Sequence, residues 1–196
     1  MSSVSLPSRP VVLADLIPGG LVRDAGVVLG AAGLTGLCAQ VSIHTPLSPV
    51  PFTLQTFAVL LTGAALGSVR GLLAMLLYLV AGGLGLPWFA HASAGWGGAS
   101  FGYLIGFVLA AAVVGRLSER RADRHVLSTA AQFVLGSVLV YLVGAGWLAL
   151  DLHLSAGQAF TLGVRPFLAT DAIKAGLAAL ALPSAWRLIG SRESTD

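Results

Sequence analysis

The sequence predicts an all-α integral membrane protein, a bundle of six transmembrane helices with both termini in the cytoplasm. Three observations predict it. Of the 196 residues, 56% are hydrophobic and only 10% are charged, whereas an ordinary soluble domain carries roughly 25% charged residues. That is too little charge to cover a folded surface in water, so lipid must solvate much of it. The apolar residues also fall into six stretches near the length a helix needs to cross a hydrocarbon core of ~30 Å. Finally, the basic residues segregate to alternate loops, as they do when Lys and Arg stay in the cytoplasm.

Taken in order, residues 1–24 read as a cytoplasmic segment. Pro7, Pro10 and Pro18 interrupt it, and it has no apolar run followed by small residues at a cleavage site, so no removable signal peptide is expected. The membrane domain is expected over residues 25–189, with spans at 25–42, 52–67, 69–86, 98–115, 126–150 and 164–189, and a cytoplasmic tail at 190–196. The second and third spans are short and meet around Gly67 and Ser68. Merged, they would be too long for one helix without a steep tilt, so a tight hairpin is expected.

With the N-terminus inside, the cytoplasmic side receives Arg9, Arg23, Arg70, Arg116, Arg120, Arg121, Arg124, Arg187 and Arg192. The outer loops 44–51, 87–97 and 151–163 contain no Lys or Arg. An odd number of spans would break this pattern. A formal net charge of +3, with basic residues dispersed rather than clustered beside aromatics, argues against a nucleic-acid surface.

Several function classes are excluded or weakened. No G-x-x-x-x-G-K-[ST] loop is present, so an ATP-driven process would need separate ATPase subunits. Cys38 is the only cysteine, and His44, His91, His125 and His153 lack metal-ligand spacing, so neither disulfide, metal nor cofactor is expected. Ser100 lies in Gly98-Ala-Ser-Phe-Gly102, which does not fit the G-x-S-x-G nucleophile turn; an intramembrane hydrolase and a purely structural bundle remain the alternatives. Gly26, Gly30 and Gly33 make a small-residue face on the first span, suited either to a partner helix or to packing within the bundle.

Asp171 and Lys174 carry the chemistry. Three apart on the last span, they share one helix face. A charged residue near the middle of a span costs about 2.5 to 3.5 kcal/mol, so the pair should face a wet cavity or the bundle interior. At ~1.5 Å per residue from Val164, Asp171 lies about 10 Å and Lys174 about 15 Å below the outer boundary. A structural ion pair is the plainer alternative. Pro46, Pro49 and Pro51 forbid helix between the first two spans and suit a stiff lid. Behind it, Thr53 and Gln55 can offer hydrogen bonds, while Trp88, Trp96 and Tyr103 can form an apolar ligand wall.

These segments together resemble the BioY family, the biotin-specific S component of energy-coupling factor (ECF) transporters. The likeness runs over most of the chain and rests on Pro49-Val-Pro-Phe-Thr-Leu-Gln-Thr-Phe57, Gly85-Leu-Pro-Trp-Phe89, Gly102-Tyr-Leu-Ile-Gly-Phe107 and Pro166-Phe-Leu-Ala-Thr-Asp-Ala-Ile-Lys174. The resemblance implies a six-helix bundle in the bacterial inner membrane, with a biotin pocket near the outer face. It also implies a transmembrane coupling subunit (T component) and two ABC-type ATPase subunits, although some members work without them, which leaves a homo-oligomer open. Asp171 and Lys174 match the family's last-helix binding motif, and the glycine face of the first span becomes the expected coupling-subunit interface. Three departures stand out: Ala169-Thr170 replaces an expected Pro-Gly, Arg165 stands where an apolar residue is usual, and the chain has no asparagine, so His91, Ser93 or Ser100 would have to meet the ureido carbonyl.

Overall fold

The computed structural model of the chain describes residues 11–193, with side chains described over 11–189. Pro7, Arg9 and Pro10, the side chain of Arg192 and the last three residues of the expected tail lie outside the described residues. Each expected span corresponds to a helix: α1 (Leu21–Gln40), α2 (Gln55–Leu66), α3 (Ser68–Gly83), α4 (Phe101–Glu119), α5 (Val126–Asp151) and, after a short α6 (Ala156–Gly163), α7 (Leu168–Glu193). Length and composition let α1, α4, α5 and the α6–α7 run cross a membrane, whereas α2 and α3 are shorter apolar helices. Large apolar side chains such as Val22, Leu127 and Leu150 point outward, as a bilayer-facing surface requires.

Two regions differ from the sequence expectation. The proline-rich loop is a two-stranded antiparallel hairpin, β1 (Ser42–Thr45) and β2 (Ser48–Thr53), in which Ser42 pairs with Thr53 and Ile43 with Phe52. A two-stranded sheet has only edge strands, where a proline without an N–H is tolerated, so Pro49 and Pro51 stiffen β2 without breaking it. The expected outer loop 151–163 contains α6. A capping box starts that helix, with Ser155 Oγ accepting from Gln158 N at 3.4 Å and Gln158 Oε1 accepting from Ser155 N at 2.9 Å. The last helix correspondingly starts later than expected, because Pro166 sits in a tight 3-10 turn (Arg165–Phe167) that redirects the chain before α7, and it runs on to Glu193, past the expected end at residue 189.

The helix α4 lies at the centre, against α2, α3 and α5, and α7 packs on α5. In contrast, α1 sits at the edge and buries only its Ala32, Thr35, Gly36 and Ala39 face. A Cβ added at Gly26, Gly30 or Gly33 would meet nothing within 4 Å. The alternative that this glycine face packs inside the bundle is therefore not what the fold adopts.

One end of the bundle gathers the charges. Arg70 pairs with Asp15 at 2.8 Å and Asp24 at 3.0 Å, and Glu119 Oε1 accepts from Ser68 N at 2.8 Å and Ser68 Oγ at 2.7 Å. Beside them, in the α4–α5 turn, the fully buried Asp123 accepts a 2.5 Å hydrogen bond from Trp186 Nε1, and the Arg124 guanidinium lies 3.2 Å over the Trp186 ring. Burial raises the Asp123 carboxyl above the usual carboxylate range, against the opposing pull of Trp186 and Arg124. A fold that binds the protonated acid more tightly than the unfolded chain gains stability below about pH 3.9 and loses it as pH rises through the raised folded value. Thermal unfolding followed from about pH 4 to about pH 8 is expected to show that decline, and Asp123→Asn to flatten it.

Candidate functional site

The opposite end holds a cavity of about 330 Å³. Its walls come from the hairpin (His44, Pro49, Val50, Thr53), the start of α2 (Gln55, Thr56), the α3–α4 loop (Phe89, His91, Ser93, Ser100), α4 (Tyr103, Phe107), α5 (Tyr141) and the start of α7 with its preceding turn (Phe167, Asp171, Lys174). Asp171 and Lys174 reach it because α7 begins only a turn earlier, which puts both on the inward face near the helix N-terminus. Lys174 Nζ lies 2.7 Å from Asp171 Oδ1 and donates to the Thr53 carbonyl at 3.1 Å. Tyr141 donates its hydroxyl proton to Asp171 Oδ2. Asp171 is 7% exposed, so this carboxylate is held by an ion pair and a hydroxyl rather than by water.

Of the nine residues proposed from the sequence, seven border the cavity: Asp171, Lys174, Thr53, Gln55, Tyr103, His91 and Ser93. All seven have polar partners within the protein: Asp171 and Lys174 pair with each other, His91 meets Ser42, Ser93 Oγ donates to the Ala90 carbonyl at 2.8 Å, and the remaining three are tied as follows. Thr53 meets Lys174 through its backbone carbonyl, while its hydroxyl accepts from Gln55 N at 3.2 Å in the turn that leads into α2. Tyr103 donates its hydroxyl to the Gly163 carbonyl at 2.8 Å and thus offers its ring to the cavity. Gln55 donates through Nε2 to Tyr78 at 2.8 Å.

Trp88 and Trp96 do not line the cavity. Trp88 folds back on α3, with its ring 5.0 Å from that of Tyr78 and its indole N–H donating to the Tyr78 carbonyl at 2.9 Å. Trp96 lies over Gly83 and meets Phe101 edge-on at 5.8 Å, and it is 59% exposed. The glycines at the C-terminal end of α3 have no side chains, and Phe89 and Trp96 fill that space instead: a Cβ at Gly82 or Gly83 would lie 2.2 Å from Phe89 or 2.4 Å from Trp96, while the Trp88 ring packs over Gly36 of α1. Gln40 reinforces this arrangement, with Nε2 donating to the Trp88 and Phe89 carbonyls at 3.2 and 3.1 Å.

The rim is fastened by residues whose pairing the sequence did not reveal. The His44 and His91 rings stack with centroids 4.1 Å apart, and Ser42 Oγ lies 3.2 Å from His91 Nδ1. His91 and Ala92 both have positive φ, +58° and +54°, a conformation that non-glycine residues rarely adopt. Gln40 Oε1 accepts from Ala92 N at 3.0 Å and helps hold the loop there. Tyr141, the lone phenol of α5, is a site residue that the sequence did not single out. Among the described residues no cluster of three His, Cys, Asp or Glu side chains could hold a metal.

The arrangement suits a small amphiphile. It combines a carboxylate that accepts from N–H donors, an ammonium that pairs with an anion, and walls of Phe107, Phe167 and the Tyr103 ring between hairpin and helix.

A sequence model of the BioY family matches residues 8–191. The probable biotin transporter BioY of Pyrococcus horikoshii is 36% identical over 161 residues, which is 81% of this chain and 93% of that protein. The biotin transporter BioY of Thermotoga maritima is 39% identical over 141 residues, 70% of this chain and 82% of its own. The crystal structure of the S component for biotin from an ECF-type ABC transporter superposes with a TM-score of 0.76 over 85% of this chain and 92% of that one, at 20% identity, and so shares the fold. With the family model spanning nearly the whole sequence and relatives matched along most of their length, the chain is a multi-pass membrane protein and belongs to the BioY family.

Proposed function

We propose that the protein binds biotin in this cavity and takes it up across the bacterial inner membrane, as the substrate-specific subunit of an ECF transporter. The observation that carries the reading is the Asp171–Lys174 pair bordering a cavity of fitting size, in a chain whose relatives bear the name biotin transporter. A ureido ring supplies N–H donors for the carboxylate, a valerate supplies the anion for the ammonium, and the fused rings lie against Phe167 and Tyr103. His91, Ser93 and Ser100 are the candidate partners of the ureido carbonyl.

In this reading α1 to α5 and α7 are the six spans. The end rich in Arg70, Arg116 and Arg124, with both termini, faces the cytoplasm, and the cavity faces outward. The exposed Gly26, Gly30 and Gly33 face meets the transmembrane coupling subunit, which joins two ABC-type ATPases.

Titration of purified protein with biotin tests the reading. Saturable binding at submicromolar ligand is expected, and no binding at micromolar ligand would sink it. Labelled biotin uptake in cells with and without coupling subunits is expected to fall when they are deleted; unchanged uptake would replace the coupled transporter by a solitary or self-associating one.

A further inference from the structure

A second hollow, of about 600 Å³, opens between α5, α6 and α7 toward the lipid-facing side. Its lining is almost wholly apolar, including Val138, Leu142, Phe160 and Leu168. Tyr141 and Asp171 are the two residues that border both this groove and the ligand cavity. The carboxylate therefore stands in a thin partition with an apolar space behind it. A hydrocarbon groove offers a carboxylate oxygen no hydrogen bond, and an unpartnered buried charge is costly.

We infer that Tyr141 is a positioning residue for ligand selection: its hydroxyl fixes Asp171 Oδ2 from the α5 side and so holds the carboxylate toward the cavity. The geometry divides the labour. Lys174 occupies Oδ1 and Tyr141 occupies Oδ2. An ionised carboxylate has about four lone-pair sites, so acceptor capacity remains for an incoming N–H. Without the hydroxyl, the carboxylate loses its donor from Tyr141 and turns toward Lys174, which takes both the acceptor from the N–H end of the ligand and the ammonium from its anionic end. Discrimination for a free N–H at that end then declines.

This rests on the biotin reading, and the experiment separates the two. Wild type and Tyr141→Phe, purified as full chains, are titrated with biotin and with a biotin analogue methylated on a ureido nitrogen. Biotin binding by wild type tests the function itself. For the inference, Tyr141→Phe is expected to lose about tenfold to a hundredfold in biotin affinity, the worth of one hydrogen bond to a charged group. The ratio of the two affinities is expected to narrow by about tenfold. The ratio is read within each variant, so it does not depend on the fraction of protein that folds. Equal biotin affinity in both proteins, or an equal loss for both ligands, would overturn the assignment, the second by showing that Tyr141 acts only through packing.

Discussion

Replacing Asp171 by Asn is expected to weaken biotin binding by about a hundredfold, and Lys174→Ala by a similar factor, in protein that still inserts and folds. Each change removes one charge-assisted contact to the ligand and strands its partner. Lys174 without Asp171 keeps only the Thr53 carbonyl, and Asp171 without Lys174 keeps only Tyr141. Breaking a buried pair destabilises by about 3 to 5 kcal/mol, so a loss of binding by itself could reflect a weakened fold. The double variant Asp171→Asn with Lys174→Met removes both charges and restores a compatible interior. Thermal unfolding should recover in the double variant while biotin affinity does not. If both single variants bound biotin as wild type does, the pair would be a structural bridge between α7 and the hairpin.

Gly115→Ala is expected to destabilise the bundle by about 3 kcal/mol or more, among the largest losses any single methyl group can cause here. A Cβ at Gly115 would lie 2.4 Å from the Gly67 carbonyl carbon and 2.5 Å from Ser68 N, so the obstacle is the backbone of the α2–α3 turn rather than a side chain able to swing aside. Relief requires moving α4 away from that turn, which also pulls Glu119 from its hydrogen bonds to Ser68. Thermal unfolding in detergent measures this. Gly30→Leu is the contrasting case: with open space around that position, it should leave unfolding unchanged yet abolish co-purification with the coupling subunit. Retained co-purification would remove the α1 glycine face from the proposed interface.

The helices were legible because each bilayer-crossing segment must satisfy its own backbone hydrogen bonds and carry an apolar surface, both local properties of the sequence. The hairpin was half legible. Its prolines excluded helix, but strand pairing between Ser42 and Thr53 depends on a partner that composition does not name. The helix α6 has a local signal in Ser155-x-x-Gln158, but at eight residues it is too short to stand out by hydropathy between two spans. Within the site, Asp171 and Lys174 were legible through cost, since charges inside a span demand an explanation. Trp88 and Trp96 were assigned to the ligand wall by residue type, and the fold directs them to the glycines and Tyr78 of α3 instead.

The sequence by itself determined that lipid is the solvent, where six of the seven helices lie, and that an acid and an amine share one face of the last helix; each follows from hydrophobicity or from a spacing of three residues. Only the tertiary structure decided what those two groups touch: Tyr141, 30 positions before Asp171, and the Thr53 carbonyl, 121 positions before Lys174. Such contacts depend on how closely and at what rotation helices meet. That is set by small residues at the crossings and by side chains competing for the same space, and no local pattern along the chain encodes it.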